Sequence, residues 1–366
     1  MTGPDAVRGR VAVLALAVLV ASWPLAGGAR QAAATDLPGR LSDRDFWQLS
    51  AGLSEPDGRF QSDNLVSNER VFQHVVPALA GMPRGGVYLG VAPEQNFTYI
   101  AALDPKIAFI LDIRRGNLLL HLLYKSLFEL SANRADFLSR LFSRRRPDGL
   151  GKDVPVHVLF DAFARAVPDE TLHKANVLAV ERQLTRRRGF PLTPDDLGRL
   201  RYLHGMFFHF GPDITYASSS GRGGRGMPSF AALQQATDAA GEPRSYLASH
   251  DAYMRVRALQ QRNLIVPIVG DFAGPQALRG VGRYLAAHRA TVTVFYTSNV
   301  EQYLFQNGVW AGFYDNLSQL PLDERSVIIR SPRGGSVIDA IRPLLNDVGD
   351  GKIRTYADIT NRGRPR

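Results

Sequence analysis

Glu94, Gln95, Asn96 and Tyr99 crowd a single turn that follows Gly90, and Asp112, Arg114 and Asn117 come one apolar run later. Asp112 lies 22 positions after Gly90, close to the roughly 20 that separate a nucleotide-binding glycine from the acid that accepts ribose hydroxyls. A carboxylate so placed can accept both hydroxyl protons of a ribose. Farther on, Asp271, Asn299, Glu301 and Tyr303 stand at or just beyond the ends of apolar runs. Amides, carboxylates and phenols at strand ends recognise small polar ligands, which open α/β sheets bind at the carboxyl edge of their strands. Each residue also has a local reading. Asp112 can cap the next helix or pair with Arg114 or Arg115. Asn299 suits a turn, Glu301 a helix's first turn, and Tyr303 the edge of a core.

Several chemistries are excluded or disfavoured. The dinucleotide fingerprint needs three spaced glycines so that backbone can approach a pyrophosphate. Here the comparable positions are Gly90, Ala92 and Gln95, and no G-x-x-x-x-G-K-[ST] loop occurs. The chain has no cysteine, which removes disulfides, a thiol nucleophile and thiolate metal sites. His204 and His209 are five apart, and His157 and His173 are isolated, so no metal site is expected. The serines at 218–220 lie outside any G-x-S-x-G elbow.

The elements that must position these residues follow from hydrophobic pattern. Val87 to Val91 and Lys106 to Ile113 are continuous apolar runs, as in parallel strands buried on both faces. Strands ending at Asp271, over ATVTVFYTSNV and over SVIIRSP, alternate with helices over PQALRGVGRYLAAH and EQYLF. Before the first strand, DRDFWQLS reads as a short helix and NERVFQHVVPALAG as a second, with Ser67 as its cap. Strand–helix alternation predicts an α/β fold with a doubly wound, mostly parallel, Rossmann-like sheet. Residues 35–366 are expected to form one such domain, with a helical insertion or cap over about 117–203 and a flexible loop at 218–228 that closes over the crevice.

The stretches LGVAPEQNFTYIAALDPKIAFILDIRRGNLLLHLLYKSLFELS, NLIVPIVGDFAGPQALR and FYTSNVEQYLF resemble a family of bacterial proteins described as methyltransferase-like. With Gly90 and Asp112, the order of elements is similar to that of class I S-adenosylmethionine-dependent methyltransferases. That resemblance spans most of the chain after residue 34 and implies S-adenosylmethionine as cofactor. It matches Gly90 to the glycine-loop position and Asp112 to the ribose-binding acid. Asp271 would then face the transferred methyl as the candidate catalytic residue. Gly90, Glu94, Gln95, Asn96, Asp112, Arg114, Asn117, Asn299 and Tyr303 are the candidate cofactor-binding residues. The chain departs from the usual loop of two or three glycines at Ala92 and Pro93.

Arg8 and Arg10 precede an apolar run from Val11 to Ala21, a proline at 24 and an alanine-rich stretch. This three-part pattern is that of a signal peptide over residues 1–34, cleaved between Ala29 and Thr35. The expectation is an exported, periplasmic or secreted chain with no membrane attachment after cleavage. Cleavage after Ala34 removes three arginines and one aspartate, taking the net charge from +10 to +8. The arginine runs at 144–146, 186–188 and 222–225 are not interleaved with aromatics, so they read as solvated ends of helices and loops and give no nucleic-acid motif. Two functions compete. One is a binding protein that has kept a methyltransferase-like fold and takes a small polar, nucleoside-like ligand. The other is an S-adenosylmethionine-dependent methyltransferase. The thin glycine loop and the signal pattern favour the first, since S-adenosylmethionine is made in the cytosol.

Overall fold

VYLGV, IAFILD and IVPIV are buried at every position, and such strands are stable only where helices cover both faces of a sheet. A computed structural model describes residues 36–220, 226–332 and 335–362. In it these runs form β1 (Val87–Val91), β2 (Ile107–Asp112) and β3 (Ile265–Val269), joined by β4 (Val292–Ser298), β5 (Leu322–Arg330) and β6 (Val337–Ala340). The six strands make one sheet in the order β3-β2-β1-β4-β5-β6. Neighbours from β1 to β5 run parallel, and β6 returns antiparallel to β5. The chain is therefore an α/β protein with a mostly parallel sheet in the Rossmann-like strand order. Pro267 sits inside β3, where it is tolerated because β3 is an edge strand. The short β6 carries no fully buried residue, which is why its apolar signal is weak in the sequence.

The helices are α1 (Asp43–Leu53), α2 (Val76–Ala80), α3 (Gln95–Leu103), α4 (Arg115–Leu130), α5 (Arg134–Phe142), α6 (Val156–Arg165), α7 (Glu170–Arg182), α8 (Pro194–Phe210), α9 (Phe230–Gln235), α10 (His250–Gln261), α11 (Ala277–Ala287), α12 (Val300–Gln306), α13 (Trp310–Ser318), α14 (Ile341–Gly349) and α15 (Tyr356–Asn361). α1 packs on β3, α4 on β2 and β3, and α10 on α3 and α4. The helical stretch between β2 and β3 is thus longer than the expected 117–203, running from α4 to α10. α4 also belongs to the layer that covers the sheet, so the inserted part begins after it. Ser67 does not cap a helix. The chain there forms a 3-10 turn over Phe72–Val75 and then α2, and the Ser67 hydroxyl is engaged with Gln95.

Residues 1–34, expected as a signal peptide, and residues 221–225 of the expected loop lie outside the described residues. The loop's described flank holds a 3-10 turn, Ser218–Ser220, where Ser218 Oγ accepts the Thr215 N–H at 2.9 Å. No helix among the described residues is long and apolar enough to cross a membrane.

Candidate functional site

The strand order reverses between β1 and β4, so the connections leaving the two strands diverge and open a crevice at their carboxyl ends. A cavity of about 220 Å³ lies there. Its walls are Val91, Ala92 and Pro93 after β1, residues 112–114 after β2, 270–272 after β3 and 298–300 after β4, with Phe60, Tyr216 and Tyr303 as aromatic sides. Phe60 meets Tyr303 edge to face at 5.2 Å. Ala92 and Ser298, at the two tips flanking the reversal, are both left-handed without being glycine, with φ of 64° and 54°. Such conformations cost of order 1 to 3 kcal/mol each and gather where a site over-determines the backbone.

Asp112, Arg114, Asp271, Asn299 and Tyr303 all line this cavity. Asp112 is engaged already. Its Oδ1 accepts from the Arg114 backbone N–H and Nε, each at 2.9 Å, and its Oδ2 accepts from Nη2 at 2.8 Å. A carboxylate offers about four acceptor positions, so one remains, on Oδ2. Asp112 thus makes the pair with Arg114 that is its alternative local reading, with a single acceptor position left open. Arg114 also donates to the Ser62 carbonyl at 2.9 Å and lies 5.9 Å from the centre of the Phe60 ring. It therefore ties the β2 tip to the segment before β1. Asp271 is exposed, and its Oδ1 accepts the Ala273 N–H at 2.9 Å. The N-terminus of α11 beside it is filled by Glu55, which accepts from the N–H groups of Asp271, Gln276 and Ala277 at 2.9 Å each. A Cβ on Gly274 would stand 2.5 Å from that carboxylate.

Gly90, Glu94, Gln95, Asn96 and Asn117 are not among the cavity's lining residues. Gly90 makes room for a side chain rather than a ligand: a Cβ there would lie 1.9 Å from Asn96 Oδ1. Asn96 holds the β1 turn, donating to the carbonyls of Val91, Ala92 and Pro93 at 2.8, 3.2 and 2.7 Å and accepting the Tyr88 hydroxyl at 2.8 Å. Glu94 is fully buried. Its Oε1 accepts the Ser67 N–H at 3.3 Å, and its Oε2 has no partner. Burial pushes its carboxyl up to about 8, against the smaller lowering from backbone N–H groups, so it is mostly neutral at pH 7. His121 is pushed down to about 4 by burial, and its Nε2 lies 2.9 Å from the Ala92 carbonyl. As a neutral ring it supports the same turn by donating to that oxygen. Asn117 is buried and its amide has no hydrogen-bond partner. Glu301 is a structural acid that accepts from Tyr314 at 2.6 Å and from Arg330 Nε at 2.5 Å, and Arg330 continues to Asp339 at 2.9 Å.

The residues missed by reading along the chain are Phe60, Tyr216, Tyr296, Ser298 and above all Glu69. Glu69 is 4% exposed and accepts from four side chains. Tyr296 at 2.7 Å and Ser298 reach its Oε1, while Gln95 Nε2 at 2.8 Å and Ser331 reach its Oε2. Only the placement of Ser298 beside Asn299 hinted at this in the sequence. Of the arginines in the described runs, Arg144, Arg145, Arg146 and Arg188 are held by partners. Arg144 donates to the Phe163 carbonyl at 2.6 Å, Arg145 meets Asp169 and Arg146 meets Asp136 at 2.8 Å, and Arg188 bridges Glu129 and Asp43 at 2.7 and 2.6 Å. Among the described residues no group of three or more His, Asp or Glu side chains has a metal-holding arrangement.

A domain family matches residues 64–149 and 225–342 of this chain, which is more than half of it. The chain belongs to that family, DUF7790, described as a domain of unknown function. The matched segments carry all six strands, and the unmatched residues between them fall within the helical stretch between β2 and β3. No curated protein matches the chain.

Proposed function

We propose that this chain is an exported binding protein with a methyltransferase-like fold, and that the strand-tip cavity takes a small polar, nucleoside-like ligand. The observation that carries the reading is the pair of left-handed non-glycine residues, Ala92 and Ser298, at the two strand tips that border the cavity. The backbone is held there in a shape that local preference opposes, and a ligand site is the common reason. The aromatic sides suit a planar base, and the open Oδ2 position of Asp112 suits one ribose hydroxyl. At about 220 Å³ the cavity lies below the roughly 300 to 1,000 Å³ typical of drug-sized sites, in keeping with a small ligand. Export rests on the N-terminal pattern of Arg8, Arg10 and the apolar run after them.

The second reading, an S-adenosylmethionine-dependent methyltransferase, is favoured by Asp112 at the β2 tip and by Asp271 exposed beside the cavity. Titration calorimetry of the purified chain separates the two. Adenosine binding with no binding of S-adenosylmethionine or S-adenosylhomocysteine is expected. Tight binding of S-adenosylmethionine replaces the first reading with the second. Tyr303→Leu, which removes one aromatic side, is expected to weaken adenosine by about tenfold, as lost stacking does. N-terminal mass spectrometry of cell fractions tests export, and a chain found only in the cytosol beginning at Met1 overturns it.

A further inference from the structure

We infer that the β4 side of this cavity is a subsite for a protonated amine. Ser67, Tyr296 and Ser298 line that side. Each hydroxyl has one proton to give, and the shortest contact of each leads away from the cavity, Ser298 having besides it only a longer one of 3.5 Å to Asn299 Oδ1. Ser67 donates to Gln95 Oε1, and Tyr296 and Ser298 donate to Glu69 Oε1. Gln95 passes its own N–H to Glu69 Oε2, which also receives Ser331. Each wall proton therefore points toward one buried carboxylate, directly or through Gln95. Ser67 Oγ already accepts the Glu69 backbone N–H at 3.2 Å, and the remaining lone pairs of the three oxygens are left for the cavity, where they accept hydrogen bonds and repel acceptors. The Glu69 carboxyl group accepts from four side chains and donates to none, the pattern of an ionised carboxylate. Among the described residues it has no Lys, Arg or His within ion-pair distance. Its charge lies just behind the wall, in a medium that screens poorly. A ligand group that both donates hydrogen bonds and carries positive charge fits this wall, and a hydroxyl, carbonyl or carboxylate fits it worse.

This inference rests on the reading that the strand-tip cavity binds the ligand, and paired probes separate the two. Calorimetric titrations of the full chain near pH 7 compare adenosine with 5′-amino-5′-deoxyadenosine, and benzyl alcohol with benzylamine. The amine of each pair is expected to bind at least about tenfold tighter, as one charge-assisted hydrogen bond gives. Glu69→Gln places an N–H where an acceptor stood. Hydroxyl protons must then turn into the cavity, and the preference for the amine is expected to disappear. Ser298→Gly removes one acceptor while suiting the left-handed φ of 54°, so it tests the wall even if Glu69→Gln fails to fold. It should weaken the amines more than the alcohols, so that the preference for the amine narrows. If both nucleosides bind equally, the nucleoside reading stands and the amine subsite is overturned. If neither nucleoside binds and benzylamine still surpasses benzyl alcohol, the subsite stands and the nucleoside reading falls. If no probe binds, both fall.

Discussion

Arg114 grips Asp112 with two prongs, Nε at 2.9 Å from Oδ1 and Nη2 at 2.8 Å from Oδ2, with both side chains 10% exposed or less. The acid that spacing singled out for a ligand is thus also the counter-ion that keeps a buried guanidinium in place. Replacing it leaves that guanidinium unpaired. Asp112→Asn is expected to lower stability by about 3 kcal/mol, the scale of a broken buried pair, read as a shift in urea midpoint. Asp112→Asn with Arg114→Met should recover most of the loss. An Asp112→Asn chain with an unchanged midpoint would mean that the pair contributes nothing to the fold.

Glu94 sets a pH dependence of known sign. Its folded carboxyl titrates near 8 and its reference value is 4.5, so the folded state binds more protons than the unfolded state between those values. Its contribution to stability is therefore full below the lower value and is lost as pH rises through the higher one. His121 and His204, both pushed down to about 4 by burial, act in the opposite sense: their contribution is present above about pH 6.5 and is lost as pH falls toward 4. Comparing the native chain with Glu94→Gln cancels the histidines. Between about pH 6.5 and about pH 8.5 the native chain should lose roughly 2 kcal/mol relative to the variant. Parallel pH profiles of unfolding free energy for the two proteins would refute the buried neutral acid.

Gly90 is expected to matter for folding and not for direct ligand contact. In Gly90→Ala the new Cβ meets Asn96 Oδ1, with Tyr88 Cε1 next at 2.8 Å. Asn96 must then release the carbonyls it holds across the β1 turn. A loss of about 3 kcal/mol is expected, the scale of a broken buried hydrogen-bond network. Thermal melting checks it. An unchanged melting temperature with ligand binding abolished would instead put the glycine at the ligand surface.

Ala92 is the converse case. Its φ of 64° costs a residue with a Cβ roughly 1 to 2 kcal/mol, and glycine removes that strain at about 0.4 to 1 kcal/mol of added unfolded-state freedom. Ala92→Gly is therefore expected to leave stability unchanged or slightly raised. Ala101→Gly, inside α3, should cost about 1 kcal/mol. Equal losses at both positions in denaturant titrations would show that the turn is not strained.

The sequence by itself determined where the fully buried strands run. β1 matches the apolar run Val87 to Val91 residue for residue, the runs Lys106 to Ile113, ending at Asp271 and over ATVTVFYTSNV lie within two residues of β2, β3 and β4, and SVIIRSP covers only the later part of β5. A strand buried on both faces must be apolar throughout, and that requirement is local, so it is written in consecutive residues. β6 was missed because an exposed edge strand makes no such demand. The same logic located the crevice, since strand ends fix where open α/β sheets bind. Only the tertiary structure decided which polar groups face the crevice. Asn96 turned inward to hold the β1 turn in the space Gly90 leaves, Glu94 and Gln95 turned to the segment before β1, Glu69 came to the β4 tip from 227 residues away to meet Tyr296, and Glu55 met Asp271 across 216. A buried polar group needs a partner, but nothing in hydrogen-bond chemistry requires the partner to be near in sequence. Which acid meets which hydroxyl is set by how the chain before β1 crosses the strand tips, and no short stretch of residues encodes that path.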